Sequence, residues 1–277
     1  TAKGKRVLFL AHRRELIAQA SDKLAAFGIP HGLIMSHEFS DPDQLVQVAS
    51  KDTLHVRAVR RDRMKLPPAD LIVPDEVHRS LARTWQELFS YYPDAVIIGL
   101  TATPARGDGR GLGHTYQEIV VCVPARELIA LGFLVPTRIF APYRPDLKGL
   151  RISGGDFSLR DPELQSRMDK PQLVADIVET WKEHASQRQT VVFASSIQHS
   201  MHLRDEFVGA GIKAVHIDGT METEERKTIV AGIRAGEYQV TTNVDVHTEG
   251  FDCPAISCIV IALPTKSIVL WRQMTGR

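Results

Sequence analysis

Short apolar runs along this chain alternate with segments whose apolar positions recur at helical spacing. That pattern predicts parallel strands buried on both faces and joined by crossover helices. The first unit runs from the strand Val7-Leu8-Phe9-Leu10 into a helix whose apolar face is Leu16, Ala20, Leu24 and Phe27, stopped by Gly28 and Pro30. Further strands are predicted at 46–49, 71–73 and 95–100, with Leu81, Trp85, Leu88 and Phe89 marking a helix between the last two. From about Val123 the pattern loosens into a short helix, started by Pro124 and ended by Gly132, and a stretch rich in Pro and Gly from 136 to 162. The domain junction is expected here, giving domains at 1–136 and 137–277. The alternation then restarts with a helix carrying Leu173, Ile177 and Trp181 and strands at 190–194, 214–217, 239–242 and 258–262. Two tandem α/β domains with mainly parallel sheets are the expected architecture.

At 277 residues the chain is long enough for two such cores. Apolar residues at 43% and charged residues at 24% match a globular protein, which argues against a disordered tail or a coiled coil. The 34 basic residues nearly balance the 33 acidic ones, so contact with a polyanion has to be local and not a bulk attraction. Cys122, Cys253 and Cys258 form no CxxC pair and read as small buried hydrophobes in a reducing compartment. No apolar run approaches the roughly 18 residues of a membrane span, so no membrane partner and a cytoplasmic location are expected. The chain opens at Thr1 and is in a strand almost at once, which reads as a piece of something longer.

Four segments carry candidate chemistry. Asp75-Glu76-Val77-His78 follows the apolar strand 71–73, and in an open parallel sheet ligands bind beyond the carboxyl ends of strands. One acid of such a pair can hold Mg²⁺ while the other deprotonates water in the hydrolysis of a nucleoside triphosphate. Equally, both acids could do no more than favour a helix dipole. Gly99-Leu100-Thr101-Ala102-Thr103-Pro104 ends the neighbouring strand, and its hydroxyls could sense the acidic loop beside them. In the other half, Gly250 of the segment 242–252 permits close backbone approach and Asp252 can accept from a ribose. Gln273-Met274-Thr275-Gly276-Arg277 presents a Gln and an Arg about a Gly, and a guanidinium facing a γ-phosphate stabilises transition-state charge. Each of these last three would, alone, pass for an ordinary turn or a solvated end.

In order and together, the segments resemble the motifs of superfamily 2 helicases of the DEAD/DEAH-like type. Residues 11–16 resemble motif Ia, 50–54 the next strand-contacting motif, 75–78 motif II and 101–103 motif III. Residues 192–196 resemble motif IV, 242–252 motif V and 273–277 the first part of motif VI. The resemblance implies two RecA-like lobes of the P-loop NTPase type, the helicase ATP-binding lobe at 1–136 and the helicase C-terminal lobe at 137–277. ATP and Mg²⁺ would lie between the lobes and a nucleic-acid strand, DNA rather than RNA, across both. Asp75 would bind Mg²⁺ and Glu76 would be the general base. His78, Thr101 and Thr103 would couple nucleotide to nucleic acid, and Gly250, Asp252, Gln273 and Arg277 would complete the ATP site. Main-chain amides and side chains around Arg13, Thr53, Ser195 and Thr242 would hold phosphates.

The chain departs from the family in lacking the glycine-rich loop ending in Gly-Lys-Thr or Gly-Lys-Ser that cradles phosphates, expected upstream of Thr1. Motif VI also stops before its usual second arginine. Pro74 replaces an aliphatic residue and removes a backbone donor, and Val77 is bulkier than the usual Ala or Cys. The implied activity is that of an ATP-dependent helicase motor. The alternatives are a double-strand DNA translocase of a restriction or remodelling system and a catalytically silent nucleic-acid-binding module.

Overall fold

In a computed structural model, the residues described are 4–77, 82–104, 111–113, 115–141, 145–153, 155–244 and 253–276. They divide into two units, Thr1–Ile119 and Val120–Arg277, each with its own sheet.

The first unit opens with β1 (Val7–Ala11), whose Leu8 and Leu10 are wholly buried. Helix α1 (Arg14–Ala26) follows, then β2 (Gly32–Ile34), β3 (Phe39–Ser40) and β4 (Val46–Ser50). Helix α2 (Lys51–Leu54) runs directly into a π-helical segment, His55–Arg60, and β5 (Leu71–Pro74), α3 (Arg83–Ser90) and β6 (Val96–Ile97) complete the unit. The strand order is β3-β2-β4-β1-β5-β6, and only β3 runs antiparallel to its neighbour. One face of the sheet buries Leu8, Leu10 and Ile72 against Leu54, Trp85, Leu88 and Phe89. The other packs Ala11 and Val48 on Ile17 of α1. Each such large apolar side chain contributes roughly 1.5–3 kcal/mol by leaving water.

Two expectations change in this unit. Phe27 is not part of the helix face: α1 ends at Ala26, where Gly28 at φ 65° turns the chain and donates to Ala25 O at 2.9 Å, leaving Phe27 81% exposed. Ile17 takes the buried position instead. The strand predicted at 95–100 is regular only over Val96–Ile97, although Ile98 N still donates to Ile72 O (2.9 Å) and Leu100 N to Pro74 O (3.0 Å). The cause is Pro74, which accepts from the segment after β6 but has no N–H to return, so the reciprocal ladder stops there. Leu81 lies outside the described residues.

The second unit contains α4 (Ala125–Ala130), the hairpin β7 (Ile152–Ser153) and β8 (Asp156–Phe157), α5 (Pro162–Met168) and α6 (Pro171–Ala185). After these come β9 (Gln189–Ala194), α7 (Ile197–Gly209), β10 (Ala214–Ile217), α8 (Thr223–Arg234), β11 (Val240–Asn243), β12 (Ile256–Ala262) and α9 (Ile268–Thr275). The sheet is all parallel, in the order β10-β11-β9-β12. Central β9 alternates its side chains between two cores. Val192 and Ala194 meet Val178, Trp181, Leu203 and Phe207 of α6 and α7, while Val191 and Phe193 meet Ile233 of α8 and Met274 of α9. The buried stripe of α6 is Val174, Val178, Trp181 and Ala185, one residue round from the expected Leu173 and Ile177, which sit at its margin. Among the described residues no helix is long and apolar enough to cross a membrane.

Within the second core the indole N–H of Trp181 donates to Thr190 Oγ1 at 2.7 Å, and its ring meets Phe207 edge-on at 5.3 Å between centroids. Thr190→Val keeps the shape and strands a buried donor. It should lower unfolding stability by about 1–3 kcal/mol, measured by denaturant titration.

Candidate functional site

In the first unit every predicted residue that is described falls at the carboxyl end of a strand. Thr53 follows β4, Arg13 follows β1, Asp75 and Glu76 follow β5, and Thr101 and Thr103 follow β6. The order β4-β1-β5-β6 therefore lays them along one edge of the sheet, phosphate candidates on one side and acids and threonines on the other.

The acids are fixed by main-chain bonds. Asp75 N donates to Leu10 O at 2.8 Å, which continues the β1–β5 ladder by one residue. Val77 N donates to Leu100 O at 3.1 Å, tying the acidic loop to the threonine segment. Between these two anchors Glu76 is forced to φ 51°, a left-handed conformation that costs a non-glycine residue about 1–3 kcal/mol. Its N–H is taken by Asp75 Oδ1 at 2.9 Å. Both acidic residues remain partly open to solvent. Mg²⁺ commonly takes one or two carboxylates and fills its other positions with water and phosphate oxygens. Asp75, with Glu76 beside it, fits that donor set.

Gly99, in the segment facing this loop, has a role that its place in the sequence does not reveal. A Cβ there would lie 2.7 Å from Val77 Cγ1 and 2.8 Å from Tyr116 Cε1, too close for any real side chain. The larger Val77 is accommodated because position 99 is empty. Thr101 Oγ1 donates to Thr103 O (3.1 Å) and accepts from Thr103 N (3.0 Å), a closed local turn. Thr103 is itself buried, and its Oγ1 has no hydrogen-bond partner among the described residues. Thr53 is also buried, its N–H capped by Ser50 Oγ at 3.3 Å, while Arg13 is half-buried.

In the second unit, Ser195 follows β9 and Thr242 lies in β11, but neither hydroxyl faces outward. Ser195 Oγ is 2.9 Å from His199 Nδ1, and Thr242 Oγ1 donates to Ser200 O at 2.8 Å. Both residues are buried, Ser195 N also lies 3.4 Å from His199 Nδ1, and Thr242 is paired within the sheet on both sides, so neither offers its hydroxyl to a ligand. That replaces the expectation of side-chain contacts at these two positions. Behind them is a chain of buried polar groups that the motif pattern does not single out. Ser200 Oγ donates to His216 Nδ1 (2.7 Å), and His216 Nε2 donates to Asp218 Oδ2 (2.7 Å). Asp218 Oδ1 accepts from both Thr220 N and Thr220 Oγ1 at 2.6 Å. Although burial pushes the Asp218 carboxyl up, these hydrogen bonds outweigh it and hold the group below the usual carboxylate range. The signal for this network in the sequence is the polar run 216–220 directly after an apolar strand.

Gln273 is carried by α9, which Ser267 caps by accepting from Leu270 N at 3.2 Å and Met274 docks in the core. His78, Gly250, Asp252 and Arg277 lie outside the described residues.

Two outcomes follow for stability. Gly99→Ala should cost the first unit about 1–3 kcal/mol by overpacking against Val77 and Tyr116, read as a lowered midpoint in chemical denaturation. Burial pushes His199 down to about 4, against the pull of nearby Asp169, so the folded protein keeps this imidazole neutral where the unfolded chain protonates it. Stability is therefore whole above the ordinary histidine pKa near 6.5 and falls as pH drops from there toward 4, by up to about 1.4 kcal/mol per pH unit. His199→Asn should flatten that difference in melts taken across the same pH range.

Comparison with known proteins accounts for this geometry. The family model of the type III restriction enzyme res subunit matches residues 1–106, and that of the helicase conserved C-terminal domain matches residues 169–277. A 51.5 kDa protein of a Lactococcus phage is 33% identical over the whole chain, which covers 57% of that protein. The Saccharomyces cerevisiae protein named as ATP-dependent helicase IRC3 is 30% identical over 98% of the chain and 40% of its own length. The chain thus spans roughly half the length of these relatives. A structure titled as a fragment of an HsdR subunit of a type I restriction enzyme from Vibrio vulnificus YJ016 shares the fold, with TM-score 0.68 and 21% identity over 99% of this chain and 49% of that one. The two family matches fall in this order over two α/β units, the type III restriction enzyme res subunit in the first half and the helicase conserved C-terminal domain in the second, which supports the resemblance to superfamily 2 helicases.

Proposed function

We propose that these residues form the motor of an ATP-dependent helicase that moves along DNA. The lobes we assign are those expected at 1–136, ATP-binding, and 137–277, helicase C-terminal, with the break between the compact units falling earlier than that junction, after Ile119, and both act in the cytoplasm with no membrane partner. The observation that carries the reading is the acid pair at the end of β5, with Glu76 held at φ 51° between two main-chain anchors. Backbone strain of this kind persists where the surroundings over-determine it, and it gathers at functional sites. The matches to the type III restriction enzyme res subunit over residues 1–106 and to the helicase conserved C-terminal domain over residues 169–277 support the same reading.

In this reading Asp75 holds Mg²⁺, which would neutralise charge on the phosphates of ATP. Glu76 accepts a proton from the attacking water at its carboxylate. His78, Thr101 and Thr103 pass the state of the acidic loop along the sheet edge. Gly250, Asp252, Gln273 and Arg277 complete nucleotide binding from the second unit, Arg277 supplying positive charge and Asp252 accepting from the ribose. Arg13 and the main chain near Thr53, Ser195 and Thr242 bind phosphates of the nucleic acid without regard to sequence. The name of the res-subunit family also favours a second reading, a translocase on duplex DNA that does not separate strands. A labelled-strand release assay beside a block-displacement assay separates the two.

Glu76→Gln in the full-length protein tests the chemistry. ATP should still bind, while DNA-stimulated hydrolysis should fall by about 10²–10⁴-fold, the usual contribution of a general base. Hydrolysis at the unsubstituted rate would remove Glu76 from the reaction.

A further inference from the structure

The chain is almost neutral overall, yet one arm of the first unit concentrates positive charge. The π-helical segment and the turn after it carry Arg57, Arg60, Arg61, Arg63 and Lys65 within nine residues, and all but the half-buried Arg57 are exposed. These residues follow Thr53 directly in the chain, and the first of them, Arg57, reaches the carboxyl edge of the sheet. The Arg57 guanidinium donates to Ser36 O, just beyond the carboxyl end of β2, and Asp62 at φ 47° reverses the chain so that Arg63 N donates to Arg57 O at 2.8 Å. From β5, where the acids sit, to β4, which leads into this arm, is two strand spacings, roughly 10 Å.

The arm is anchored beneath. Buried His55 bonds Glu87 of α3 at 2.8 Å, and that bond, helped by the nearby charges of Arg83 and Arg60, holds the Glu87 carboxyl below its ordinary range. Arg60 and Arg83 therefore flank a single carboxylate that already has a partner. Asp52 is likewise taken up by Lys51 at 2.5 Å, which leaves Asp62 as the other acid on the arm itself. Guanidinium groups in excess over acids, on a firmly held turn, suit phosphate oxygens, which they bind bidentately.

We infer that the 57–65 arm, with Arg83, is a second phosphate-binding surface that extends the nucleic-acid track of the first unit outward past Thr53. The inference rests on the proposed motor function and adds to it a contact that none of the helicase-like motifs contains. Its contribution is sequence-independent and arises from counterion release.

The test is equilibrium binding of a fluorescent single-stranded oligonucleotide to the 277-residue chain, by anisotropy, over a series of salt concentrations. The variants are R60Q/R61Q/R63Q and R60K/R61K/R63K, all at exposed positions, with thermal melts to show that both remain folded. Every phosphate that the protein no longer neutralises should reduce the slope of log affinity against log salt by about 0.7, so the Gln triple should be flatter by roughly 2. The Lys triple should keep the slope of the unsubstituted chain. An unchanged slope in the Gln triple overturns this inference and leaves the motor reading standing. Absence of salt-dependent binding by the unsubstituted chain overturns both.

Discussion

The hydrogen bond from Asp75 N to Leu10 O, 2.8 Å long, is the joint on which the candidate site depends. It is the last rung of the parallel ladder between β1 and β5, and it carries strand geometry one residue past the proline that would otherwise end it. Buried parallel strands are held in register by apolar side chains on both faces, so whatever leaves their carboxyl ends is delivered to a fixed line. Asp75 inherits its position from Leu8, Leu10 and Ile72, which are wholly buried in the strands behind it. A core residue and a site residue are here two parts of one strand.

Two departures from the family pattern are explained by the geometry around that joint. Pro74 sits where its missing N–H faces β6 and not β1, so the ladder that positions Asp75 is untouched and only the β6 side is shortened. Val77 is larger than usual, and Gly99 opposite it leaves the volume that the two extra methyl groups need. The acidic loop is therefore pinned on both sides, at Leu10 and at Leu100, and Glu76 absorbs the mismatch in its backbone. Relaxing that strain would require releasing one of the two anchors.

Much of this was legible in the amino-acid sequence because the signals were local. Apolar runs of four or five residues marked the buried strands, and acids or hydroxyls directly after them marked the edge. What could not be read depended on the third dimension. The face of α6 is set by β9 and α7, which rotate it by one residue from the stripe that Leu173 and Ile177 suggest. Phe27 fits the helical spacing of α1, but Gly28 ends the helix one residue too early for it to turn inward. The short strands β2 and β3 have too few residues for any periodicity to show. Ser195 and Thr242 are ordinary polar residues at strand ends in sequence, and only the packing of α7 over β10 and β11 turns their hydroxyls inward.

That inward turn divides the work of holding a nucleic acid. The second unit has committed its two predicted hydroxyls, together with Ser200, His216 and Asp218, to a buried network that braces the carboxyl ends of three adjacent strands. In the proposed function it can then offer phosphates little more than main-chain amides of the segments near those positions, which carry no net charge. Amides bind a phosphate by direction and displace no condensed cation, whereas guanidinium groups displace one for each phosphate neutralised. The first unit has Arg13 on the edge itself and the arginines of the arm beyond Thr53. The salt dependence of binding by this chain should accordingly come from the first unit, and the geometric grip of the second should survive at ionic strengths that weaken the first.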